Sequence, residues 1–278
     1  MAWNYVNKLH TVILRSTNQQ SATDAGLLYV PPSFTQPGAP PGRDVQRMTG
    51  LIIRRAELLN ITAATDLGLG FRIANRYWRA GNTDGTTFTE DTADAQDLGA
   101  SDFTIGANTA AGNTTNFTVL STIPFDWVSI NIGTAEVDDV PTAIDHSLQY
   151  SNSAGTGWTA YTAGYLNNFE LTNTVLATGA REFVWTAPSD WGKVVSLAGL
   201  PTGYYAWSIT TAGATAGDTA ALGTAMEIGT MRTVTAVAAN TLYAFDFAQM
   251  LLAEADAVVA FFDQANANNR VTVEVTTG

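Results

Sequence analysis

The sequence predicts an all-β protein: a β-sandwich body, jelly-roll or Ig-like, with an extended N-terminal arm. Three observations predict it. Short runs of strand-forming residues recur along most of the chain between turns rich in Gly, Thr and Asn. Five of the nine prolines fall between Pro31 and Gly42, ahead of those runs, where they favour extended backbone and forbid a central strand. The 278 residues contain no Cys, yet are long enough to bury a core without staples.

Taken in order, residues 1–50 read as the arm. Trp3, Tyr5 and the run Val12-Ile-Leu14 supply a strand or docking segment, and residues 16–24 are polar. Around the prolines stand Tyr29 and Phe34, which with Trp3 are apolar anchors that a plain linker does not need. Residues 51–230 read as the sandwich body. Strands are expected over 51–61 and 71–79, the second alternating Arg72, Ala74, Arg76 and Trp78 with Phe71, Ile73, Asn75 and Tyr77. The stretch from Gly81 to Asn116 has weak strand signals and many turn residues. Further strands are expected at 116–120, 125–132, 144–150, 182–186, 204–210 and 227–237. Residues 231–278 read as a closing β segment or small subdomain, with strands at 242–247 and 270–276. Its run Ala257-Val-Val-Ala-Phe-Phe-Asp263 is expected to pair with 270–276 as a hairpin, the alternative being a helix over 247–262. No internal repeat of fixed period is visible.

Charge narrows the partners. Thirteen Lys and Arg stand against twenty-five Asp and Glu, a net −12, which opposes general affinity for nucleic acid or anionic membrane surfaces. The balance is uneven: residues 1–80 carry nine bases and four acids (+5), whereas residues 81–278 carry four bases and twenty-one acids (−17). Eleven of the thirteen bases are Arg, whose planar fork suits carboxylates on another protein or ion pairs within its own domain. The N-terminus lacks the basic and apolar regions of a signal peptide, and 247–262 is too short and too charged to span a bilayer, so synthesis in a cytoplasm is expected.

Catalytic patterns are sparse. With only His10 and His146, a multi-His metal centre is hard to build, and no thiol chemistry is possible. His146 lies between Asp145 and Ser147, but neighbours in a strand point to opposite faces, and no Gly-x-Ser-x-Gly elbow exists. Gly68-Leu-Gly70 lacks the third glycine and following helix of a dinucleotide site. The acid-rich loop Asp84 to Asp97 has oxygen ligands for Ca²⁺ without the helix–loop–helix spacing, and reads better as a solvated turn. Most of the 28 aromatic residues read as sandwich core, five of the seven tryptophans lying between Trp127 and Trp207. No enzyme activity, cofactor or metal is expected.

One set of motifs points further. Ser147-Leu-Gln-Tyr-Ser-Asn-Ser-Ala-Gly-Thr-Gly-Trp158-Thr-Ala-Tyr161 is followed by Glu182-Phe-Val-Trp185-Thr-Ala-Pro188-Ser-Asp190-Trp191-Gly-Lys193 and then by Gly203-Tyr-Tyr205-Ala-Trp207. This order resembles a β-sandwich module of tailed-bacteriophage virion proteins, with Arg76-Tyr-Trp78 and the acid-rich loop as its lead-in; the likeness covers roughly residues 76–230. Ala206-Trp207-Ser208 departs from the Trp-Ile-Arg type sequence common there. The resemblance implies a non-enzymatic virion structural protein, best matched by a capsid decoration (cement) protein: a homotrimer on the capsid surface, bound to the major capsid protein, with no nucleic acid or membrane partner. Its shell contacts would then be Trp3, Tyr5, Tyr29, Phe34, Arg43, Arg47, Arg54, Arg55, Arg72, Arg76 and Arg79. The alternative is a head-fibre or tail protein binding host glycans through Trp158 and Tyr161. A polysaccharide depolymerase has only unplaced acids in its favour.

Overall fold

The computed structural model describes the backbone of residues 10–15, 26–30, 33–35, 45–47, 51–60, 65–97, 103–105, 115–138, 145–161, 176–197, 199–212, 217–251, 255–262 and 270–277, and most side chains of these from Leu67 onward. In chain order the strands are β1 His10–Arg15, β2 Gly26–Val30, β3 Ser33–Thr35, β4 Val45–Arg47, β5 Leu51–Asn60, β6 Thr65–Ile73, β7 Trp78–Thr83, β8 Phe88–Glu90, β9 Phe103–Ile105 and β10 Thr115–Ser121. They continue as β11 Trp127–Thr134, β12 Asp145–Ser151, β13 Trp158–Ala160, β14 Gly179–Val184, β15 Tyr205–Ala212, β16 Ala221–Val237, β17 Thr241–Leu251, β18 Ala255–Phe262 and β19 Arg270–Thr277. A helix, α1 Thr92–Gln96, follows β8. The chain forms two compact units: Met1–Ala74 with Gly229–Gly278, and Asn75–Ile228 inserted between them. The sequence suggests divisions at 50 and 230.

In the inserted unit, β9 to β16 are eight antiparallel strands in two sheets. One sheet runs β9-β16-β11-β14 and the other β10-β15-β12-β13. Lettered B to I in chain order, these are the B-I-D-G and C-H-E-F sheets of a jelly roll. The hairpin β7–β8 adds to the free edge of strand C through β7.

Alternation in the sequence builds its core. Val119, Trp207 and Tyr150 lie in one register row across β10, β15 and β12; Phe117, Ile209 and Leu148 lie in the next. Opposite them, Val128 pairs with Phe183, and the Phe183 ring meets Trp207 edge-on at 5.5 Å. Trp185 stacks on Trp207 at 5.3 Å, and Phe103 of strand B stacks on Phe117 of strand C at 5.6 Å. Burying one such indole, about 200 Å², contributes on the order of 5 kcal/mol before entropy. The other face of the C-H-E-F sheet is also covered: Val194, Leu197 and Leu200 pack on Leu120 and Ala206, with Phe88, Trp158 and Tyr204 around them. That second layer explains why successive residues of β10 and β15 are buried rather than every other one.

The host unit repeats the same order. One antiparallel sheet runs β1-β19-β5-β17. In the other, β2 pairs with β18, β18 with β6, and β6 with the Gly229–Val237 half of β16. Lettered in chain order with β3–β4 set aside as a separate hairpin, these too are B-I-D-G and C-H-E-F. The second jelly roll therefore enters between strands E and F of the first. It is reached through Ala74 and a 3-10 turn at Asn75–Tyr77, and left without any loop, because β16 is strand I of one roll and strand F of the other. At Gly70 an added Cβ would meet the Thr230 carbonyl oxygen, so only glycine lets β6 lie this close to β16.

Three expectations change. The strand read over 71–79 is two strands, since β6 and β7 pair with different partners on either side of the 3-10 turn. Residues 257–263 and 270–276 do not form a hairpin with each other: β18 pairs with β2 and β6, while β19 pairs with β1 and β5. Nor is 247–262 a helix. Ala257 to Ala260 are buried at every successive position, which requires a strand flanked on both edges and covered on both faces. Finally, the turn-rich stretch after Gly81 holds β8, α1 and β9, all too short to show periodicity.

Candidate functional site

The residues read as shell contacts are distributed over both units. Trp3, Tyr5 and Arg43 lie outside the described residues. Tyr29 lies on β2 opposite Val259, Phe34 on β3 opposite Gln46, and Arg47 on β4 opposite Ser33. On β5, Arg55 stands in register between Asp246 and Glu274, and Arg54 falls at the irregularity where both ladders shift. Arg72 is half-buried at the end of β6, opposite Gly229 and Ala257. Arg76 and Arg79 are exposed on the inserted roll. The Arg76 guanidinium sits 4.6 Å over the Tyr77 ring, and that of Arg79 sits 5.6 Å over Tyr204 while reaching Glu90 at 3.5 Å.

Trp158 and Tyr161 are half-buried, each packed on one side. Trp158 rests on the second apolar layer, and its indole Nε1 is buried without a hydrogen-bond partner. Tyr161 lies 4.8 Å from Tyr150 and 6.1 Å from Trp185. The three segments that carry the phage resemblance pack against one another. Residues 152–157 turn strand E into strand F, with Gly155 at φ +67°, and its carbonyl accepts from the Val195 amide at 2.8 Å. Ser151 Oγ donates to the Gly192 carbonyl at 2.6 Å, and the Trp191 indole donates to Ser151 Oγ and the Ala206 carbonyl at 3.1 and 3.0 Å. The motif spacing is thus that of a turn and the strap laid across it.

Two polar constellations escaped the sequence, because their members meet only across strands. His146 Nε2 lies 2.7 Å from Glu136 Oε2, and Thr211 Oγ1 lies 3.2 Å from His146 Nδ1. The Leu176 amide donates to the same Glu136 oxygen at 3.1 Å. Acid, imidazole and hydroxyl in this order match a hydrolytic triad, but all three residues are buried, so no substrate reaches the hydroxyl. The group ties β12, β15 and the segment after β11 together. Ser147, the neighbour of His146 in sequence, is exposed and takes no part.

The second constellation is Glu182 on β14, which accepts from Trp127 Nε1 and Ser129 Oγ, both at 2.7 Å. Burial pushes its carboxyl up to about 7; the two donors oppose the rise and the nearby Glu227 adds to it. In the acid-rich loop, Asp84 accepts from the Thr86 hydroxyl and from the amides of Thr86 and Thr87, which hold its carboxyl below the usual range. Burial raises Asp91, while the Asn82 amide bound to it opposes the rise. Asp84 is thus engaged in its own turn and Asp91 by Asn82, and among the described residues no three His, Cys, Asp or Glu side chains gather to hold a metal.

Neither a family model nor a curated protein matches this sequence. Among solved structures, infectious bursal disease virus of the Gt strain aligns at 12% identity and TM-score 0.22, over 97% of this chain and 80% of that one. The Gx strain aligns at 10% and 0.19, over 98% and 81%, and T=1 particles derived from that virus at 11% and 0.19, over 97% and 77%. These likenesses to virus structures are weak and carry no argument for function; the jelly-roll assignment rests on the strand order of the chain itself.

Proposed function

We propose that this chain is a non-enzymatic virion structural protein, and within that class a capsid decoration protein that binds the outside of a phage head. The observation that carries the proposal is the pair of jelly rolls, an architecture used repeatedly by viral capsid and lectin domains. In this reading the major capsid protein is the partner, three copies associate, and the residues of 1–50 with the arginines of β5 to β7 make the shell contacts. Apart from Arg76 and Arg79, the inserted roll, with its sixteen acids, faces solvent and keeps crowded particles apart.

The test adds the full chain to purified heads that lack it. The expected result is saturable co-sedimentation in multiples of three copies, with heads that resist heating better. A chain that stays in the supernatant at every concentration overturns the proposal. Removing residues 1–50 is the wrong probe, since it would strip β1 and β2 from the host roll. Removing residues 1–9, which precede β1, tests the contacts of Trp3 and Tyr5 and leaves β1 and β2 in place. The lectin side of the fold supports the second reading, a fibre or tail module that binds glycans. It requires array binding that Trp158→Ala abolishes.

A further inference from the structure

Asp-Gly occurs once in this chain, at Asp84-Gly85, and Asn-Gly does not occur at all. The pair stands at the tip of the β7–β8 hairpin, where Thr83 pairs with Phe88 and the Asp84 amide donates to the Thr87 carbonyl at 3.3 Å. Both residues are exposed, and a Cβ added at Gly85 would meet nothing within 4 Å. Sterics therefore do not oppose ring closure between the Gly85 nitrogen and the carboxyl that precedes it. Hydrogen bonds do. Asp84 Oδ1 accepts from the Thr86 amide, the Thr86 hydroxyl and the Thr87 amide, each at 2.8 Å. The Gly85 amide donates to Thr83 Oγ1 at 3.2 Å.

We propose that Asp84 is a covalent modification site, converting to isoaspartate through a cyclic imide with Gly85, and that the hairpin tip sets the rate by engaging both reacting groups. In the first step the Gly85 nitrogen attacks Asp84 Cγ. A C–N bond forms, a Cγ–O bond breaks, and the amide proton leaves with the carboxyl hydroxyl as water. In the second step water reopens the ring. Cleavage between the nitrogen and the Asp84 main-chain carbonyl leaves the backbone running through Cβ and Cγ. Water is the one co-reactant. The departing hydroxyl requires the acid form, and the Thr86 hydroxyl, then the Thr87 and Thr86 amides, hold this carboxyl below its usual range. Turning Cγ toward the nitrogen costs Oδ1 its three donors, and releasing the amide proton breaks the bond to Thr83. The product does not fit the tip. Its extra backbone carbon enters a loop whose Thr86 carbonyl already lies where a Cβ on Gly199 would be, and whose Phe88 packs on the second apolar layer. Conversion therefore loosens β8 from that layer, and refolding does not reverse it.

The test incubates the full chain, folded and in urea, at one temperature and mildly acidic pH. Isoaspartate at residue 84 is then measured by digestion and electron-transfer fragmentation. The unfolded chain is expected to convert at least about tenfold faster, the factor that one lost bond to a carboxylate supplies. Thr86→Val, at an exposed position, should raise the folded rate about tenfold, and Thr83→Val should raise it less. Asp84→Glu, which would have to close a six-membered ring, should abolish the signal. An unchanged circular dichroism spectrum checks that the variants fold, and the folded and urea rates of the native chain decide the matter without them. No isoaspartate in urea overturns the modification site. Equal rates folded and unfolded, or a folded Thr86→Val chain that converts at the native rate, overturn the control by the tip.

Discussion

The host roll and the inserted roll share one strand order and differ in nearly everything their side chains decide. The host, residues 1–74 and 229–278, carries nine bases and nine acids and is neutral. The inserted roll, residues 75–228, carries four bases and sixteen acids and holds the entire net charge of −12. Six of the seven tryptophans are also in the inserted roll, the seventh being Trp3. Backbone pairing and apolar alternation therefore suffice for the topology, and charge and aromatic content are free to serve a surface or a particular core.

This difference can be broken deliberately, and because six of the seven tryptophans report on the inserted roll, emission from a Trp3→Phe background watches that roll separately. The largest effect is expected from Trp207→Ala, which empties the centre of the stacked aromatic core. It should lower stability by about 3–5 kcal/mol in urea unfolding followed by emission. An unchanged midpoint would remove Trp207 from the core. Close behind is His146→Ala, which leaves the buried Glu136 carboxylate, one of whose oxygens already lacks a partner, without its imidazole. A loss of about 3 kcal/mol or more is expected, partly recovered when Glu136→Gln is added.

Next comes pH. The Glu182 carboxyl titrates near 7 in the folded chain against an ordinary 4.5, so folding favours its protonated form. The resulting penalty is absent below about pH 4.5 and complete above about pH 7, and it amounts to about 3 kcal/mol. Stability of the inserted roll should therefore fall as pH rises through that window, and the difference between the native chain and Glu182→Gln should display the slope. A flat difference would contradict the burial of that carboxyl. The smallest effect is in the host: Gly70→Ala should cost about 1–3 kcal/mol in far-ultraviolet circular dichroism by forcing β6 from β16. The emission-detected transition should stay put. If it moves equally, the rolls unfold as one cooperative unit rather than two.

Strands such as β10, β11, β12, β15 and β19 were legible because their apolar residues alternate and turn residues bound them. Their partners were not legible. His10 pairs with Thr277 at the far end of the chain, and the two halves of β16 serve different rolls although one unbroken strand carries both. The repeat of the jelly roll is likewise a repeat of strand order and not of residues, so no period could reveal it. At the site, Arg76 and Arg79 could be picked from sequence as accessible cations. The setting of Lys193 could not be read, because only the fold brings it to Tyr205. His146 looked inert beside Asp145 and Ser147, since the residues that complete its group lie ten and sixty-five positions away.

Composition by itself determined that the chain has no thiol chemistry, little imidazole and a net charge of −12, and the recurring short runs between turns determined an all-β body. Only the tertiary structure decided where that charge resides. Read linearly, the first eighty residues are +5 and the remainder −17. In the fold, the +3 of residues 1–74 meets the −3 of residues 229–278 in one neutral roll, because β17, β18 and β19 pair with β1, β2, β5 and β6. Antiparallel register joins strands from the two ends of a chain as readily as neighbours, and so it can cancel a charge asymmetry that the sequence displays in full.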